Sequence, residues 1–276
     1  MERIFESIHD KYLFKCIFLA GGPGSGKSFL NSSMTDVFLP SNMLKAYNNV
    51  TKEDGTEESK KELVSRLFKK YGTPTYSISN ENIITLNSDD IYEILLKKNN
   101  VTNKIVSDPN DPLFAVQQGI RKKAKALTDM RKRSFINGML PLVIDGTGKD
   151  LVKTLNMIRE LENIGYDVYM IFVDVDLETT LQRNRMRSRS LSDDMVTDIW
   201  TQCQRNIDKY QTYFGDKFHI IDNAKDMIDG KGPFELEEYK KRLRKLGKSI
   251  FASPLENPIG VETLQKLRAE KRSYLK

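Results

Sequence analysis

A chain of 276 residues can bury one substantial α/β core without disulfide staples, and 39% hydrophobic with 30% charged residues is an ordinary globular balance. The net charge of +6 is only mildly basic, which suits a phosphate-rich ligand without demanding nucleic acid. Two cysteines and two histidines exclude a disulfide framework and a zinc site of ordinary spacing. No stretch is apolar enough to span a bilayer, and the charged start MERIFESIHDKYLFK lacks the apolar centre of a signal peptide, so the expectation is a cytoplasmic protein without a membrane partner.

CIFLA (16–20) reads as a buried strand, and GKSFLNSSMTDVFL opens a helix that stops before Pro40. Between them GGPGSGKS, from Gly21 to Ser28, satisfies G-x-x-x-x-G-K-S. Gly21, Gly22, Gly24 and Gly26, with Pro23 and Ser25 among them, let the backbone curl so that N–H groups meet phosphate oxygens, and the helix N-terminus adds its positive end. Lys27 is expected to reach the outer phosphates, Ser28 to offer a hydroxyl to Mg²⁺, and Phe29 to complete an ATP site that GTP also fits.

Residues 41–80, rich in Asn, Lys, Glu and Gly, read as a solvated insertion with a short amphipathic helix. NIITLNSDDIYEIL then gives a strand ending at Asn87 and a helix beginning near Asp89 and Asp90. Val116, Ile120, Ala124 and Leu127 mark one helix face; Arg121, Lys122, Lys123, Lys125, Arg131, Lys132 and Arg133 occupy the rest as a solvated back or a mild attraction for polyanions. LPLVIDGTG is the next strand, followed by a helix with Leu151, Leu155, Ile158 and Leu161 inside and Gly165 as its stop. DVYMIFVDV is another strand, and Asp176 caps the helix after it. LQRNRMRSRSLSDD breaks that helix with Arg183, Arg185, Arg187 and Arg189, so 183–192 reads as a lid, and Ser192 restarts a helix striped by Val196, Ile199, Cys203, Ile207 and Tyr210. KFHIIDNA is the last strand.

This alternation implies a P-loop NTPase-type three-layer α/β/α fold with a central parallel sheet over residues 1–228, its ligands beyond the carboxyl ends of the strands. Residues 229–276 read as a helical tail that packs on the domain or on a partner protein.

The loop specifies a nucleoside triphosphate and not its fate. A GTPase needs D-x-x-G, which Asp145–Gly148 matches, and also N-K-x-D, which neither NKIV (103–106) nor NAKD (223–226) supplies. A kinase acting on a hydroxyl needs a base and mobile arginines. Asp89 is the candidate base, with a helix N-cap as its bland alternative. The four arginines, with no carboxylate in sequence until Asp193, repel one another unless an anion arrives, and suit a planar grip on phosphate. Asp145 is a candidate for metal or acceptor binding, and Asn223 for the adenine side or a turn. An ATP-hydrolysing or ATP-regulated nucleic-acid-binding protein is the competing class.

Taken in order, the phosphate loop, LNSDD, LVIDGTGKD and the arginine segment resemble the zeta-toxin-type kinases over roughly residues 13–223. The resemblance implies ATP or GTP as donor and a UDP-amino sugar as acceptor. It implies Asp89 as the catalytic aspartate, Asp145, Thr147 and Lys149 at the acceptor, and Arg183 and Arg189 over the phosphates. Asp145 stands where that family has Glu, and Lys149 where it has Arg. NSDD and RNRMR are also similar to motifs of the polynucleotide 5′-kinase domain, which nominates Arg187 instead of Arg189 and a nucleic-acid end as acceptor; nucleosides and nucleotides complete the acceptor classes.

Overall fold

The computed structural model describes residues 12–35, 83–106, 108–187, 189–223 and 233–274. The insertion expected over 41–80 lies outside the described residues. Five strands, β1 (Lys15–Ala20), β2 (Ile84–Leu86), β3 (Leu142–Asp145), β4 (Asp167–Asp174) and β5 (Phe218–Asp222), form one parallel sheet in the order β2-β3-β1-β4-β5. The helices are α1 (Lys27–Thr35), α2 (Ser88–Lys98), α3 (Pro112–Asn137), α4 (Leu151–Asn163), α5 (Leu177–Arg185), α6 (Asp193–Phe214), α7 (Pro233–Ala252) and α8 (Pro258–Tyr274). This is the three-layer P-loop NTPase-type fold. The strand order reverses at β1, the position where such sheets open a crevice for ligand.

Alternation along the strands sorts the core onto two faces. Ile17, Leu19, Val143, Tyr169, Ile171 and Val173 meet Leu30 and Met34 of α1 and Tyr239, Leu243, Ile250 and Phe251 of α7. Cys16, Phe18, Ala20, Val168, Met170 and Phe172 meet Ile158 and Leu161 of α4 and Ile199, Cys203, Tyr210 and Phe214 of α6. The segment read as a tail is therefore part of the outer layer: α7 covers one face, and Leu264 of α8 reaches the core of the other.

A buried ion pair fastens that segment to the N-terminal ends of the central strands β1 and β4, opposite the loop. Lys15 Nζ lies 2.7 Å from Asp167 Oδ2, with side chains 0% and 2% exposed, and also donates to Ser253 Oγ and the Pro254 carbonyl. Asp167 accepts in addition from the Glu256 and Asn257 N–H groups at 2.9 and 3.0 Å.

Capping follows the sequence in most places. Asp176 accepts from the Thr179 N–H, Ser192 from the Met195 N–H, and Gly165 turns the chain after α4 at φ +110°. Two expectations change. Asn87, not Asp89, caps α2, because its side chain accepts from the Asp89 N–H at 2.8 Å. On α3 the inward face holds Ala124 and Gln117, while Val116 is 45% exposed. Gln117 is buried because its amide satisfies the turn beside it, donating to the Thr102 and Lys104 carbonyls and accepting from the Val106 N–H.

Candidate nucleotide and phosphoryl-transfer site

The loop from Gly21 to Gly26 leaves β1 at the centre of the sheet and enters α1, whose first turn has N–H groups without helical partners. Lys27 folds back into the loop, its Nζ donating to the Gly21 and Gly22 carbonyls at 2.8 and 2.9 Å and to Ser25 Oγ at 3.3 Å. Gly24 and Gly26 hold φ of +79° and +89°, and a Cβ on Gly24 would stand 2.8 Å from the Thr180 carbonyl. Trp200 of α6 packs beside Gly22, its ring nitrogen donating to the Val175 carbonyl.

Behind the loop sits Asn223, 1% exposed at the end of β5. Its Nδ2 donates to the Ser25 carbonyl at 2.7 Å, its Oδ1 accepts from Tyr239 Oη at 3.1 Å, and its N–H donates to the Asp174 carbonyl. Asn223 is thus a brace of the loop, its buried amide bonded to protein groups on both sides. Phe29 likewise turns its ring onto Tyr239, stacked at 6.3 Å, so its side chain serves packing against α7.

A Cβ on Gly26 would fall 2.2 Å from Asn223 Nδ2. Gly26→Ala is therefore expected to displace the brace and weaken any nucleotide binding at least about tenfold, read by calorimetric titration with ATP and GTP, with the helical signal retained.

The acidic groups come from the two strands beyond β1. Asp145 ends β3 beside β1, where Leu19 is its register partner. Burial pushes its carboxyl up and the Lys27 ammonium down, and each opposite charge pulls the other back. Asn87 links this carboxylate to the next: its Nδ2 donates to Asp145 Oδ2 at 3.0 Å while its Oδ1 holds the Asp89 N–H. Asp89 is thereby fixed in the first turn of α2, with Asp90 beside it exposed to solvent. The Thr147 carbonyl accepts from the Gly21 N–H at 3.0 Å, and its hydroxyl oxygen accepts from the Lys149 N–H at 3.4 Å. Lys149 is exposed, and its carbonyl accepts from the buried Asn206.

The arginine segment is not wholly the self-repelling run that its sequence suggests, because Asp193 nearby and Asp89 and Glu93 far upstream supply counter-charges to Arg185 and Arg189. Arg183, on α5, donates to the Asn223 carbonyl at 2.8 Å, and Arg185 pairs with Asp193. Arg189 donates from Nη2 to Asp89 Oδ1 at 3.1 Å, across 100 positions of sequence. Arg187 is exposed and makes no ion pair among the described residues, yet it is close enough to bear on the charges of Lys27 and Asp145. Two residues that matter here were not singled out in sequence: Asn87, which lies inside the quoted LNSDD, and Arg121 of α3, which lies 3.6 Å from Asp89 and had no local signal to separate it from its basic neighbours.

No protein-family model and no curated protein matches the sequence. Solved structures of similar shape include a chain titled as part of the Pnkp1/Rnl/Hen1 RNA repair complex, at 15% identity and TM-score 0.39, covering 71% of this chain and 46% of that one. The chain thus spans under half the length of that protein. Others are shikimate kinase from Bacteroides thetaiotaomicron, at 14% identity and TM-score 0.38 over 84% of this chain and 97% of that one, and a chain of the PezAT toxin-antitoxin system of Streptococcus pneumoniae, at 12% identity and TM-score 0.37 over 92% and 86%. Likeness at this level carries no functional weight; the fold stands on strand order and the site on its geometry. Among the described residues no helix is long and apolar enough to cross a membrane.

Proposed function

We propose that the protein is an ATP- and Mg²⁺-dependent phosphotransferase acting on a hydroxyl group. One observation carries the reading: Asn87 bridges Asp145, beside the loop lysine, to the first turn of α2 where Asp89 sits. A donor loop, a carboxylate next to it and a second, half-exposed carboxylate are thus brought together at the carboxyl ends of the strands.

In this reading the loop N–H groups and Lys27 hold the triphosphate. The acceptor hydroxyl passes its proton to Asp89 as its oxygen bonds to the γ-phosphorus, the bond from that phosphorus to the β-bridging oxygen breaks, and ADP leaves. Arg187, which makes no ion pair among the described residues, follows the transferring group. The donor set suits magnesium, since the exposed Ser28 hydroxyl and the Asp145 carboxylate are hard oxygen ligands, few enough to share the ion with water and phosphate oxygens. Among the described residues no group of three or more His, Cys, Asp or Glu side chains can hold a metal by itself. When bound, the ion would neutralise charge on the triphosphate.

The acceptor is a UDP-amino sugar, a nucleoside or nucleotide, or the 5′-hydroxyl end of DNA or RNA. Transfer of label from γ-³²P-ATP, offered to these acceptors in parallel, tests the reading. Label in one pool names the acceptor. Free phosphate alone would instead favour an ATP-hydrolysing or ATP-regulated nucleic-acid-binding protein.

A further inference from the structure

Arg189 and Arg121 hold an arrangement that a transferring phosphoryl group does not need. Arg189, from the lid, and Arg121, from the middle of α3, converge on the same carboxylate oxygen, Asp89 Oδ1, at 3.1 and 3.6 Å. Both guanidinium carbons lie over the ring of Tyr92, at 5.2 and 4.5 Å, and Tyr92 is itself buried. These contacts hold both cations against the ring, and each guanidinium still carries N–H donors to offer.

Those donors are poorly used. Among the described residues, the Arg189 Nη2 bond to Asp89 is the one hydrogen bond that either guanidinium makes. Arg189 is only 11% exposed, and its Nη1 is buried without a hydrogen-bond partner, standing 3.7 Å from Glu93 Oε1. A buried guanidinium donor left unbonded costs free energy that an incoming oxyanion relieves.

We propose that Arg121 and Arg189 form an acceptor-side phosphate clamp, so that the acceptor carries a phosphate next to the hydroxyl it presents to Asp89. The clamp rests on the phosphotransferase reading and divides the labour of the arginines differently from the lid expected in sequence. Arg187 serves the donor; Arg189 belongs to the acceptor with Arg121. The phosphate is either a monoester, as in a nucleotide, or a diester, as in a polynucleotide, and both present the planar pair of oxygens that such donors grip.

The test is equilibrium binding of inorganic phosphate and of a 5′-hydroxyl hexanucleotide to protein carrying Lys27→Ala, which disables the donor loop. At least one probe is expected to bind, and Arg121→Gln and Arg189→Gln are each expected to weaken it about tenfold or more, with Arg121→Lys restoring part of the loss. Binding of phosphate alone assigns a monoester, and binding of the oligonucleotide alone a diester. Failure of both probes to bind, or binding indifferent to both glutamine substitutions, overturns the clamp. In protein that transfers label, the same substitutions are expected to raise KM for the acceptor and leave KM for ATP unchanged; a rise in the ATP value instead would return Arg189 to the donor side. If no acceptor is labelled while phosphate binds in an Arg121-dependent way, the phosphotransferase reading falls and the acceptor role of the clamp falls with it, leaving a phosphate-binding site at Arg121 and Arg189.

Discussion

Asp89→Asn is expected to slow phosphoryl transfer by about 10²- to 10⁴-fold while leaving the protein folded. The rate falls because the amide cannot take the proton of the attacking hydroxyl. Folding survives because what Asp89 gives the structure is mostly main chain: its N–H still meets Asn87 Oδ1, and an asparagine oxygen still accepts from Arg189. The residual loss is one negative charge in the first turn of α2, worth about 0.3–1 kcal/mol at an exposed helix start, together with the charge attraction of Asp89 for Arg189 and Arg121. Initial rates of label transfer beside thermal melts separate the two effects. Rates within a few-fold of the parent, at unchanged stability, would sink Asp89 as the base. Asp90→Asn is the natural control, since Asp90 points to solvent.

Asp167→Ala is expected to be the most damaging single change to stability, at about 3–5 kcal/mol, because it strands the fully buried Lys15 ammonium. It also frees the Glu256 and Asn257 N–H groups and one contact of Lys217. Chemical denaturation measures the loss directly.

The same residue sets an acid limb. Burial alone would raise the Asp167 carboxyl, but the Lys15 hydrogen bond, the Glu256 N–H and the nearby Lys217 outweigh it and hold the group below its usual 3.8. A carboxyl held lower in the folded chain than in the unfolded one adds stability that is complete above about pH 4 and lost as pH falls through the folded value. Stability of the parent is therefore expected to drop below pH 4, and the Asp167→Ala curve to be flatter there. Parallel curves would show that other carboxylates govern the acid limb.

Legibility in sequence tracked the range of the interactions. The β1 strand, the glycine loop and α1 were readable because each depends on neighbours within a dozen positions, as were the caps at Asp176 and Ser192. The strand and helix alternation was enough to give a parallel sheet with helices on both faces. Lys15 was not readable as a core residue, since a lysine flanking an apolar run looks like a strand end until Asp167, 152 positions away, is placed beside it. The arginine segment misled for the same reason: its partners Asp89 and Glu93 lie far upstream. Asn223 was read as a turn or adenine contact because nothing local announces that its amide will meet Ser25. Composition could call 229–276 helical, but not say which side of the sheet lacked a cover.

The brace behind the loop has a consequence for how the protein comes into being. Synthesis runs from the N-terminus, so the ribosome releases residues 21–28 early, while the groups that hold them in shape arrive last. Asn223 closes on Ser25 across 198 positions, and Tyr239 must follow to fix Asn223. Contacts of such separation form slowly. The nascent chain therefore carries its glycine loop unbraced through most of translation, and nucleotide cannot be gripped firmly until α7 has emerged and docked. On the proposed reading, bound nucleotide would therefore stabilise the finished fold late and would not template its early steps.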